Sequence, residues 1–152
     1  MSKGEALSLI DGSRDPGVWG EIEWSRRRSA SRSGEMSGLT ADGVAVTLAI
    51  TVRLMRPWEP TVLYRCGAIT WRIDHNGSHR GRLFTHLQVE DKDDPAWAGS
   101  FVRDLGDVGL FSPIVGEAPS GSELEATLRS SASYLHVNVD GVTWIDPPEG
   151  VQ

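Results

Sequence analysis

The sequence predicts an α+β fold, mostly antiparallel β, with a meander sheet followed by two short helices in the C-terminal half. The first observation behind this is a strict period-2 alternation. Val44, Val46, Leu48, Ile50, Val52 and Leu54 fall on one face, and Ala45, Thr47, Ala49, Thr51 and Arg53 on the other, the pattern of a half-buried strand rich in β-branched residues. The second is a change of period after residue 91, where Trp97, Phe101 and Leu105 recur at i, i+4 and i+8, a helical stripe. Strands gathered early and helices appended late point away from a parallel α/β layer.

Taken in order, residues 1–17 read as a loose lead-in, 18–148 as one domain and 149–152 as a tail. Val18 to Arg28 is a strand in which Ile22 and Trp24 alternate with Glu21 and Glu23. Residues 26–34 hold Arg26, Arg27, Arg28 and Arg32 among Ser and Gly. With little to bury, they read as an exposed loop or the wet end of a long hairpin. Met36 to Thr40 pairs with the long strand through the Ala41-Asp42-Gly43 turn. Pro57-Trp58-Glu59-Pro60 interrupts, and Thr61 to Arg65, Ala68 to Asp74 and Leu83 to Glu90 are further strands. Asn76-Gly77 supplies a turn signal between the last two. Asp94-Pro95 opens the first helix, and Ser122…Glu125 caps the second. Tyr134 to Val139 and Val142 to Ile145 form a closing hairpin around Asp140-Gly141.

A chain of 152 residues can bury roughly 68–70% of its unfolded surface and folds without a metal or disulfide. No apolar run approaches the roughly 20 residues of a membrane span, and the start holds no signal-peptide core. The single Cys66 excludes an internal disulfide and fits a reducing cytoplasm. The net charge of −6 is unevenly placed. Residues 1–82 carry 12 Lys+Arg against 9 Asp+Glu, a net of +3, and residues 83–152 carry 3 against 12, a net of −9. A basic half facing an acidic or phosphorylated partner fits this polarity. Thirteen of the 15 basic residues are Arg, a bias that GC-rich coding also produces.

No phosphate-binding glycine loop, dinucleotide fingerprint or Cys-rich zinc site is present, so no cofactor and no metal is expected. The informative window is Arg72 to Gln88, which holds three of the four histidines and three arginines. A register pairing Arg72 with His86 and Thr70 with Gln88 brings Arg72, Asp74 and His86 to one sheet face, with His79, Arg80 and Arg82 in the loop above. His86 and His79 are candidate acid and base, Arg72 and Arg80 candidate phosphate holders, and Asp74 a candidate orienter. That is the minimum equipment for metal-independent RNA cleavage. The same residues also make an ordinary satisfied polar network. A metal site from His75, His79 and His86 with Asp74 is allowed, not favoured, by the loop spacing.

The run Arg72-Ile73-Asp74…Gly77…His79-Arg80…Thr85-His86-Leu87…Asp94…Trp97-Ala98 resembles a bacterial family known only as a domain of unknown function. Its pattern is Arg-x-Asp, Gly, His-Arg, His-x-His and Trp-Ala. More weakly, the run is similar to the TumE-type toxins of toxin–antitoxin pairs. The match covers residues 61–101. Gln88 stands where the second His belongs, and Gly81-Arg82 replaces an Asn-Pro. The resemblance implies a small cytoplasmic bacterial or phage protein. Two functions follow. One is a non-catalytic interaction module acting on a protein partner, through its acidic half or through Arg26, Arg27, Arg28, Arg32 and Arg82. The other is a toxin-like, metal-independent nuclease acting on RNA through the window 72–88. The replaced His and the acidic pI favour the first.

Overall fold

The computed structural model describes residues 17–28, 30–79, 81–94 and 101–148, and for residues 26–28, 79 and 101 the backbone alone. Eight strands form one sheet: β1 (Gly17–Arg28), β2 (Ser31–Leu39), β3 (Ala45–Arg53), β4 (Thr61–Cys66), β5 (Ile69–His79), β6 (Arg82–Asp91), β7 (Phe101–Asp104) and β8 (Asn138–Thr143). The order across the sheet is β7-β6-β5-β4-β3-β2-β1-β8. Seven strands are a plain antiparallel meander, and β8 adds to the far edge parallel to β1. A single helix, α1 (Gly121–Tyr134), is present among the described residues.

The alternation in β3 does what its period dictates. Val46, Leu48, Ile50 and Val52 are buried and lie opposite Gly38, Met36, Gly34 and Arg32 of β2. With Val62, Tyr64, Ile69, Trp71, Ile73, Leu87 and Val89 they form one apolar face. Leu124, Leu128 and Ala132 of α1 cover it. Small residues in β2 let β1 come close. A Cβ on Gly34 would meet Ile22 and Trp24, and one on Gly38 would meet the Gly17 carbonyl.

Five expectations are corrected. Phe101–Asp104 is an edge strand paired with β6, not helix; Trp97 and the rest of 95–100 lie outside the described residues. The apolar i, i+4 spacing there is outcompeted by the open hydrogen-bonding edge of β6. The helix is capped two residues earlier than expected: Ser120 Oγ accepts from Glu123 N at 3.1 Å, and Glu123 Oε1 accepts from Ser120 N at 3.0 Å. Tyr134 ends the helix, and Asn138–Thr143 runs straight through Asp140-Gly141 to pair with β1, so there is no closing hairpin. Asn76-Gly77 lies inside β5, and the chain reverses between His79 and Arg82 at Gly81, φ 79°.

The fifth concerns residues 26–34. The hairpin reading holds, but Arg32 is buried at 5% exposure within β2, because β2 pairs with β3 along its whole length from Ser31 to Leu39. Arg28 closes β1 opposite Ser31. The side chains of Arg26, Arg27 and Arg28 lie outside the described residues.

The tight β1–β2 approach is testable. Gly38→Ala forces a methyl against backbone and is expected to lower stability by about 1–3 kcal/mol, measured as a lower urea midpoint at unchanged m-value.

Candidate functional site

The opposite face of the sheet is polar, and the site is built there from β5 and β6. The register sets Asp74 directly opposite His86 and Arg72 opposite Gln88, two residues from the expected pairing. A two-residue shift conserves parity, so Arg72, Asp74 and His86 still meet. Asp74 Oδ2 lies 3.2 Å from His86 Nε2 and 3.2 Å from Arg72 Nε. Thr61 of β4 donates to Asp74 Oδ1 at 3.0 Å, and Arg72 also reaches Glu90 at 3.3 Å.

Between Asp74 and Gly77 the register slips. His75 and Asn76 together oppose Thr85 alone, a β-bulge. Asn76 takes φ 55°, a left-handed conformation that Asn tolerates better than most residues. The bulge brings Gly77 onto the polar face beside Asp74. A Cβ there would sit 2.9 Å from Asp74 Cβ and 3.4 Å from His86 Cε1, so the pair needs a residue without a side chain.

His86 is 1% exposed. Its Nδ1 faces the Phe84 carbonyl at 2.9 Å and its Nε2 the Asp74 carboxylate. These two partners only accept, so a doubly protonated ring satisfies both. Burial works against that charge, but the hydrogen bonds to Asp74 and Phe84 outweigh it and hold the pKa above the ordinary value. Burial likewise pushes Asp74 up, yet the His86 bond, the Arg72 charge and the Thr61 hydroxyl bring it below the usual carboxylate range. Phe84 packs on the ring at 4.7 Å, and Arg82 lies 4.5 Å over Phe84.

His75 belongs to the other face. Its Nδ1 lies 2.7 Å from Ser112 Oγ and its Nε2 2.8 Å from Ser131 Oγ of α1. Burial pushes its pKa down to about 4 against the pull of Asp74. His75 and His86 are therefore on opposite sides of the sheet. No group of three potential metal ligands occurs among the described residues.

An open cleft of about 420 Å³ lies beside the cluster, lined by Arg53, Arg56, Glu59, Thr61, Arg72 and Asp74 among others. Arg53 comes from the end of β3, and Arg56 and Glu59 from the β3–β4 loop. Glu59 Oε2 pairs with both Arg56 Nε and, at 3.4 Å, Arg53. The Glu59 side chain is 4% exposed, while those of Arg53 and Arg56 are 57% and 52% exposed. The anion is underneath and the cations face outward.

Of the sequence candidates, Arg72, Asp74 and His86 are together. Arg82 opens β6 and pairs with Asp104 of β7 at 2.9 Å. His79 occupies the backbone position opposite Arg82 at the end of β5; its side chain, and Arg80 entirely, lie outside the described residues. Arg53, Arg56, Glu59 and Thr61 were missed by the sequence reading. The signals that point to them are the Arg56…Glu59 spacing at i, i+3 and the placement of Arg53 on the polar side of the β3 alternation.

The charge states have signs that can be checked. The raised His86 pKa contributes stability that is complete below the ordinary 6.5 and is lost as pH rises through the folded value. The lowered Asp74 contributes above the ordinary 3.8 and is lost as pH falls through its folded value. His75 acts the other way, removing stability as pH falls from 6.5 toward about 4. Imidazole 15N spectra are expected to show His86 predominantly doubly protonated at pH 6.5, and His75 singly protonated at pH 5. Asp74→Asn is expected to lower the His86 pKa. No protein-family model, curated protein or solved structure matches this chain.

Proposed function

We propose that this chain is a non-catalytic interaction module whose polar sheet face engages a protein partner. The observation that carries this is the state of His86. An acid–base residue must expose a nitrogen to the reacting group and change protonation near working pH. Here both nitrogens are engaged, at 2.9 and 3.2 Å, and the ring is 1% exposed. Such a histidine fixes Asp74, and through it Arg72, as parts of a rigid charged surface. The cleft beside them supplies outward-facing cations and no exposed acid–base group among the described side chains.

Two further points support the reading. Gln88 replaces the second His of the motif that the window resembles, and the chain carries a net charge of −6, which disfavours long-range attraction of a polyanion. The setting that accompanies this reading is the bacterial or phage cytoplasm. No helix among the described residues is long and apolar enough to cross a membrane.

The test pairs a chemical and a binding readout. Purified wild type and His86→Ala protein, incubated with labelled RNA, are both expected to leave it intact. Cleavage by wild type that a folded His86→Ala variant loses would establish the nuclease instead. In parallel, p-benzoylphenylalanine placed at the exposed Ser78 on the cleft rim is expected to crosslink one identifiable protein that rebinds when purified.

A further inference from the structure

The cleft at Arg53, Arg56 and Arg72 continues into a second. An adjoining hollow of about 420 Å³ is lined by Ala30, Met55 and Leu63 together with Arg53, Arg56 and Thr61, so three residues are common to both. One end is cationic, and at the other Met55 and Leu63 give an apolar surface beside Ser31 and Thr51. Met55 is 81% exposed, the most exposed large apolar side chain among the described residues. It stands between the two arginines in sequence.

The arginines are prepared for an anion. Each guanidinium has five N–H donors. Among the described residues, Glu59 takes one nitrogen of Arg53 and one of Arg56, and Asp74 and Glu90 take two of Arg72. These bonds hold the groups in place without exhausting them, which lowers the ordering cost of binding. Arg53, Arg56, Arg72 and a protonated His86 stand against Glu59, Asp74 and Glu90, four positive charges to three negative, in a chain whose net charge is −6.

Resting on the interaction-module reading, we propose that the occupant is a short acidic peptide segment of the partner, with a carboxylate in the Arg53–Arg56–Arg72 cleft and a neighbouring apolar side chain over Met55 and Leu63. Arg pairs a planar carboxylate in bidentate fashion. A peptide segment presents one or two charges to the cleft alone. Beyond about 8 Å in physiological salt the acidic remainder of the surface is screened. An RNA strand carries a charge at every nucleotide and would track across that acidic surface, including Glu90 beside Arg72. It also gains nothing from an aliphatic shelf.

The test uses the full chain and a fluorescein-labelled dodecapeptide, Gly-Ser throughout except for a central Leu-Glu-Phe-Glu, read by anisotropy in 150 mM NaCl. Controls are the same peptide with both Glu changed to Gln, and a labelled 12-nucleotide single-stranded RNA. Saturable binding of the acidic peptide, with a loss of about tenfold or more for the Gln peptide, is the expected result. Removing Arg53 and Arg56 alone would strand the buried Glu59, so the variant is Arg53→Gln/Arg56→Gln/Glu59→Gln, which is expected to fold and to lose binding by at least about tenfold. Met55→Ser changes an exposed residue and is expected to weaken binding about threefold. Equal affinity for the Glu and Gln peptides, retention of binding by the triple variant, or RNA bound more tightly than peptide would each overturn the proposal. A Ser78-crosslinked partner that rebinds the triple variant undiminished would overturn this occupant while leaving the interaction module standing; RNA cleavage would overturn the module itself.

Discussion

The bulge at His75–Asn76 is the constraint on which the rest of the structure depends. Around it, consecutive residues of β5 take three jobs. The His75 ring goes to the apolar side and joins Ser112 to Ser131 of α1. The His75 amide donates to the Pro60 carbonyl at 3.0 Å. The Asn76 side-chain amide donates to the carbonyls of Trp58 and Pro113, both at 2.8 Å. The β3–β4 loop, the segment before α1 and the helix are thus all referred to one kink in one strand. The same kink brings Gly77 to the polar face and leaves room for the Asp74–His86 pair. Fold and site share this origin.

Much of this was legible in the sequence where one face of a strand is buried. Val46, Leu48 and Ile50 had to be a strand, since a helix would scatter them. The common face of Arg72, Asp74 and His86 was legible from parity, because a buried opposite face penalises every odd slip. The register itself was not, since it is set by where the bulge and the turn fall. Asn76-Gly77 offered the chemistry of positive φ, which a hairpin turn and a bulge both need. Local residues cannot choose between them; Trp58, Pro60 and Pro113, all distant in sequence or across a loop, do. Arg32 was misplaced for a similar reason. Its neighbours are small and polar, which reads as loop, but Gly34 and Gly38 are small so that β1 can close on β2. Phe101 and Leu105 kept a helical spacing, and an open strand edge overrode it.

His75 of β5 and His86 of β6 show how much the environment decides. They are eleven residues apart in sequence, and both are nearly inaccessible. His75 meets two hydroxyls, each able to donate or accept, so a neutral ring is satisfied and burial drives its pKa to about 4. His86 meets a carbonyl and a carboxylate, which can only accept, so burial loses and the charged ring persists. The two are shifted in opposite directions. The sheet uses one as a neutral clamp to the helix and the other as a fixed cation.

That distinction bears on what the polar face is for. A cleft that changes protonation to do chemistry needs groups held loosely enough to exchange protons with substrate. A cleft that recognises needs groups that do not move. Glu59 under Arg53 and Arg56, and Asp74 between Arg72 and His86, are the arrangements on which the proposed interaction reading rests. In each, a poorly exposed carboxylate is committed to two cationic groups, and only the loss of both would leave it without a countercharge. A surface with that resistance to rearrangement keeps its positive charges aimed outward whatever approaches. On the proposed reading, its selectivity comes from which approaching group can share those N–H donors without displacing the carboxylates beneath them.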